Sequence, residues 1–267
     1  MNVAQSNALA QWWSAHPGRR ALIPFWPCGY PDVAATLAWM RMAVEAGADI
    51  LELGVPFSDP MADGVRITQA YGEVLAGGFR VEQVFDVVRE FRSEGHVAPI
   101  VLMGYANLWW SMGLDAAALA TRESGAQGLI VPDLPPEESA PVRAALDAHD
   151  LGLVMLVAPT CSDARIARIE ASASAYLYAV TVTGITGERS ALADTIPAYL
   201  DRVRAHVAPS THIVAGFGLR SAEQVRALAP HVDGVVVGSA LLALGDLDQQ
   251  SALLRSMRTA LSADERR

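Results

Sequence analysis

The sequence contains no lysine: all 20 of its basic residues are arginine. A Schiff-base nucleophile, a pyridoxal-phosphate anchor and a P-loop lysine are excluded, because each requires the ε-amine. Cysteine is scarce as well. Cys28 and Cys161 stand far apart, in no CxxC or Cys/His spacing, and read as reduced thiols of a cytosolic protein. No apolar run approaches the roughly 20 residues of a membrane span. The longest candidate, GVVVGSALLALG, is short and rich in glycine. The opening stretch MNVAQSNALAQWWSAHPGRR lacks the basic and apolar regions of a signal peptide. Charge runs are missing too. The net charge of -9 is spread over single residues, so no nucleic-acid partner is expected.

What is present is apolar substance: 52% of the 267 residues are hydrophobic, enough for one sizeable core. Eight short β-branched runs punctuate the chain, at Ala21–Trp26, Asp49–Val55, Pro99–Gly104, Gly128–Val131, Gly152–Ala158, Ala175–Thr181, His212–Gly216 and Val232–Gly238. Each is continuous rather than alternating and ends at Gly, Pro or Asp, the pattern of a strand buried on both faces. Helical spacing lies between them. Val33, Leu37, Met40 and Val44 share one face before Gly47, and Val84, Val87, Val88 and Phe91 share another before Gly95. Ser221 with Gln224 reads as a capping box, Ser162 as a helix cap, and Pro141 as part of a first helical turn.

Eight strand–helix units in this length predict an α/β protein of the (β/α)8 (TIM) barrel type, one domain over residues 1–267. An extra N-terminal helix and an elaborated loop after the second strand, with a helix near Ile67–Leu75, complete the expectation. A doubly wound sheet is the alternative, but PCGYPD after the first strand is no GxGxxG loop.

In such a barrel chemistry belongs at the C-terminal ends of the strands. Glu52 interrupts the apolar second strand of ADILELGVPFSDPMADG. It reads either as a carboxylate neutralised by an arginine or as one whose pKa is raised by burial. Asp63, in the loop that follows, is a turn residue by itself and, with Glu52, one of two carboxyl groups in unlike environments. Asp59, in SDP, suits an Asx turn. Opposite them, VAGFGLRSAEQ and VVVGSALLA place Gly216, Gly218, Gly238 and Ser239 before helices, an arrangement suited to a phosphate. VTGITGERS, with Gly184, Thr186 and Gly187, reads as a third contributor or a mobile lid. Tyr105 and Tyr178 stand at strand ends as pocket or core aromatics, and one of Trp109 and Trp110 must face outward. His16, His96, His149, His206, His212 and His231 show no metal-ligand spacing.

The run LELGVPFSDPMADG closely resembles the signature of the tryptophan synthase alpha subunit family. The resemblance continues in order through IPFWPCGYPD, VLMGYANLWWSMG, LIVPDLPPEES, VTGITG, GFGLRS and VVVGSALL. It implies a barrel lyase that cleaves indole-3-glycerol phosphate to indole and glyceraldehyde 3-phosphate, with no cofactor or metal. On matching positions, Glu52 and Asp63 would be the catalytic carboxyl groups, and Gly187, Gly218, Gly238 and Ser239 the phosphate site. Phe25, Tyr105, Tyr178 and Phe217 would line the indole pocket, with Thr186 as the lid threonine. Pro56, Asp59 and the segment from Asn107 would face a beta subunit. A stand-alone lyase and a silent homologue retained as an allosteric partner are the alternatives. The chain departs from the family pattern at Val65 and Arg66, where proline usually follows ADG, and at Val182.

Overall fold

The computed structural model describes residues 7–181, 189–216 and 218–262. Eight strands run β1 (Ala21–Pro27), β2 (Leu51–Gly54), β3 (Ile100–Met103), β4 (Gly128–Ile130), β5 (Gly152–Val157), β6 (Leu177–Val180), β7 (Ile213–Gly216) and β8 (Gly234–Val237). They pair in parallel and in chain order, and β8 returns to β1 to close a barrel. Each apolar run of the sequence supplies one strand. Most strands are shorter than their runs, because a ladder ends where the neighbouring strand ends, whatever the residue there.

Helix α1 (Ala8–Ala15) precedes the barrel. Around it lie α2 (Val33–Glu45), α3 (Val65–Ala76), α4 (Glu82–Ser93), α5 (Ala106–Met112), α6 (Leu114–Ser124) and α7 (Ser139–Asp147). The chain continues through α8 (Asp163–Ser172), α9 (Arg189–Ala205), α10 (Ala222–Leu228), α11 (Ser239–Leu242) and α12 (Leu247–Ser262). The extra segment after β2 is α3. Local chemistry sets the helix ends. Asp32 accepts from the Ala35 N–H at 2.7 Å to start α2, and Gly47, at φ +94°, follows its end. Ser162 accepts from the Arg165 N–H before α8. Ser221 likewise caps α10, but Gln224 returns its side-chain oxygen to the Arg220 N–H rather than to that of Ser221. The predicted box is therefore displaced by one residue.

Strand alternation sorts the core into two populations. Leu22, Trp26, Leu51, Leu53, Ile100 and Leu102 face outward against the helices. Ile23, Phe25, Val101, Met103, Ile130, Val154, Val214 and Val236 fill the bore. The N-terminal end of the bore is plugged by α1. Leu9 is fully buried, and a Cβ on Gly128 or Gly152 would lie 2.8 or 2.9 Å from its Cδ1. Asn7 caps α1 and donates to the Ser174 carbonyl at 2.6 Å, which pins the plug to the barrel. The histidines singled out in the sequence lie on helices or on connections leading into strands, away from the open end.

Asp49, whose side chain is 4% exposed, ties distant segments together at the start of the barrel. It accepts from the Leu22 N–H at 2.9 Å, from Arg19 Nε at 2.6 Å and from an Arg258 guanidinium nitrogen at 2.8 Å. One carboxylate thus ties the approach to β1, the entrance to β2 and the last helix.

Candidate active site

Strand β2 pairs with β1 at Phe25↔Glu52 and with β3 at Glu52↔Val101. Phe25 and Val101 both point into the bore, so parity sends Glu52 there too. The side chain is 1% exposed and Oε2 has no hydrogen-bond partner among the described residues. Of the two readings open from sequence, the arginine-neutralised one has no counterpart here: no ion pair reaches Glu52 among the described residues. Burial pushes its pKa up to about 8, and the neighbouring charge of Asp63 adds to the rise.

Asp63 reaches the same space from the loop between β2 and α3. Its N–H bonds to the Pro60 carbonyl at 3.1 Å, closing a turn just ahead of Gly64, the N-cap of α3. Oδ2 accepts from the Tyr105 hydroxyl at 2.7 Å, and that hydroxyl accepts from the Ala62 N–H at 2.8 Å. Burial raises the Asp63 pKa to about 6, while the Tyr105 hydrogen bond restrains it. The Tyr105 ring stacks on Phe57 with centroids 5.1 Å apart. Tyr105, expected as pocket lining, is placed as the holder of Asp63 and is absent from the described cavity wall.

Glu52 and Asp63 open into a small cavity that is partly open to solvent. Phe25, Ile67, Met103, Tyr178 and Val236 give it an apolar wall, and Gly218, Gly238 and Ser239 line it as well. Gly218 sits at φ +90°, a conformation open to glycine, and exposes backbone at the end of β7. Gly238 is the N-cap of α11, and a Cβ there would meet Phe25 Cδ1 at 2.8 Å. A Cβ on Gly216 would collide with the Tyr178 hydroxyl. These glycines give the aromatic walls room and leave amide groups accessible to a ligand. Thr186, Gly187 and Phe217, together with Val182 and Gly184, lie outside the described residues.

Among the residues expected at a partner surface, Asp59 and Asn107 are exposed, with Asp59 accepting from the Ser58 hydroxyl. Pro56 is buried. Trp109 is fully buried and donates to the Gly104 carbonyl at 2.8 Å, whereas Trp110 is 43% exposed. Ile67, Met103, Leu219 and Val236 were not singled out in the sequence. Strand parity could have found Met103 and Val236, since each lies two residues along its strand from another inward position.

A closed (β/α)8 barrel whose open end holds two carboxyl groups of unlike basicity over a small cavity is the anatomy of a barrel enzyme suited to acid–base chemistry. A family profile described as tryptophan synthase alpha chain matches residues 13–264. A tryptophan synthase alpha chain of Roseiflexus castenholzii is 46% identical over 225 residues, covering 84% of this chain and 85% of that relative. One from Geobacter sulfurreducens is 40% identical over 248 residues, 93% of each. Among solved structures, a Mycobacterium tuberculosis tryptophan synthase chain superposes with a TM-score of 0.86 at 36% identity, over 96% of this chain and 98% of that one. The alpha subunit from Legionella pneumophila gives 0.85 at 33%, over 96% and 99%.

The chain belongs to the tryptophan synthase alpha chain family. It is a carbon–carbon lyase of tryptophan biosynthesis, cleaving indole-3-glycerol phosphate to indole and glyceraldehyde 3-phosphate. The family acts with a beta subunit. No helix among the described residues is long and apolar enough to cross a membrane.

Proposed function

We propose that Glu52 and Asp63 carry this cleavage, with the indole between them and the phosphate on the Gly218, Gly238 and Ser239 side of the cavity. Near neutral pH, Glu52 is protonated and Asp63 is ionised, as their values of about 8 and about 6 require. Glu52 delivers its proton to indole C3. The ring becomes a cation with its charge centred on N1–H, and the Asp63 carboxylate stabilises that charge. Glu52, now a carboxylate, takes the proton of the glycerol hydroxyl on the carbon bonded to C3. The carbon–oxygen bond becomes a carbonyl, the bond to C3 breaks, and its electron pair returns to the ring. Indole and the aldehyde leave with Glu52 protonated again. Proton transfer of this kind contributes about 10²–10⁴-fold in rate, and a fixed phosphate holds the scissile bond over both groups.

The observation that carries this reading is the pairing of an unpartnered, bore-facing Glu52 with a Tyr105-held Asp63 over one cavity. Gly187 joins the phosphate site, and Thr186 and Phe217 join Tyr178 and Phe25 around the substrate. Asp59 and Asn107 face a beta subunit, with Pro56 shaping the loop behind them.

The test is indole formation from indole-3-glycerol phosphate by the purified chain across pH. The kcat/KM profile is expected to be bell-shaped. Below about 6, Asp63 gains a proton and loses its charge; above about 8, Glu52 loses the proton it must give. Glu52→Gln should lower kcat by at least ~10²-fold, and a variant within twofold of the parent overturns the assignment. Adding a tryptophan synthase beta subunit should co-sediment with the chain and raise its turnover, and Asp59→Arg should weaken both effects.

A further inference from the structure

Two arginines adjoin residues of the cavity wall, and neither has an acidic partner among the described residues. Arg66 lies in the first turn of α3, one residue before the wall residue Ile67. Arg220 directly follows the wall residue Leu219 and lies two residues beyond Gly218. Both are exposed, and neither side chain makes an ion pair or hydrogen bond among the described residues. Arg165, by contrast, at the same end of the barrel, is held by Glu137 at 3.0 Å.

Helix stability does not account for the placement of Arg66. A cation in the first turn of a helix opposes the helix dipole, and α3 has neither a side-chain cap nor an acidic residue there to offset it. Their positions around the ring are informative. Arg66 follows β2 and Arg220 follows β7, so the two bracket the ends of β8 and β1, where Gly238 and Ser239 line the cavity. The chain as a whole carries -9, and the cavity already holds the ionised Asp63. A phosphate monoester, close to doubly negative at neutral pH, approaches such a surface against repulsion.

We propose that Arg66 and Arg220 form a cationic gate at the rim that draws the phosphate end of the substrate toward the glycine side of the cavity. They are steering groups and take no part in bond breaking. Because this rests on the phosphate site proposed above, the test must separate the two ideas.

The full chain and its Arg66→Gln, Arg220→Gln and double variants are assayed with indole-3-glycerol phosphate at about 20 mM and about 300 mM ionic strength, on either side of effective screening. The double variant is expected to lose roughly 3–10-fold in kcat/KM at low salt with kcat within twofold of the parent. The deficit should shrink toward parity at high salt. Binding of glycerol 3-phosphate, followed by calorimetry, should weaken by a similar factor under the same salt conditions. Unchanged kcat/KM at low salt overturns the gate, and so does a deficit that persists at high salt or falls on kcat. Failure of the parent chain to cleave the substrate would overturn the proposed site instead.

Discussion

At the scale of single residues, the site rests on one carboxyl group with too few partners and another with a well-made one. Glu52 stands out in the sequence because an acid within an apolar parallel strand needs a reason, and its inward direction follows from strand parity. The hydrogen bond that governs Asp63 could not be read in the same way, since Tyr105 is 42 residues away and on another loop. Its hydroxyl favours the ionised form of Asp63. Tyr105→Phe should therefore raise the acidic limb of the pH–rate profile above about 6 and narrow the bell. Loss of activity should be greater at pH 6.5 than at 7.5, whereas a pocket-wall role for the ring would lower both alike. Glu52 also links stability to pH. The folded state holds its proton up to about 8, while an unfolded glutamate releases it near 4.3. The stabilisation is complete below the lower value and is lost as pH rises to the upper one, at about 1.4 kcal/mol per pH unit. Thermal unfolding of Glu52→Gln at pH 5 and 8.5 should show an advantage over the parent that grows with pH.

At the scale of elements, the eight strands were legible because a parallel strand covered on both sides has no polar face to obscure it. Helix faces were legible for a related reason: Val84, Val87, Val88 and Phe91 recur with the helical period and are all buried. Strand ends were less so, because a ladder stops where the neighbouring strand stops, and that depends on register. Pro56 shows the same limit, since nothing local in the sequence marks it as buried. The plug by α1 is likewise a tertiary fact. Leu9 has an ordinary helical context in sequence, yet it sits against two glycines from different strands. Leu9→Ala should destabilise the fold by about 2–5 kcal/mol. Chemical denaturation should show a lower midpoint while kcat stays unchanged, because the plug lies at the end of the barrel away from the carboxyl pair.

At the scale of the whole molecule, the order of the units specified the barrel, since repeated strand–helix pairs of this number can close on themselves. The carboxylate that ties the last helix to the first two strands was not legible, because Arg19, Asp49 and Arg258 come from distant parts of the chain. Asp49→Ala would leave a half-exposed arginine, a nearly buried one and the Leu22 N–H without their shared acceptor. A loss of about 3 kcal/mol is expected, seen as a lower melting temperature, with the pH–rate profile of the remaining folded enzyme unaltered.

The pairing of β1 with β8 joins segments some two hundred positions apart, from Ala21↔Gly234 onward. Closing the ring brings together strands separated by a loop nearly the length of the chain, an entropic cost met only once β8 is in place. Until the eighth strand is available, the first presents a bare row of amides and carbonyls along one side, open to a neighbouring chain. A product truncated before residue 234 should therefore behave as an adhesive open sheet rather than a slightly smaller enzyme.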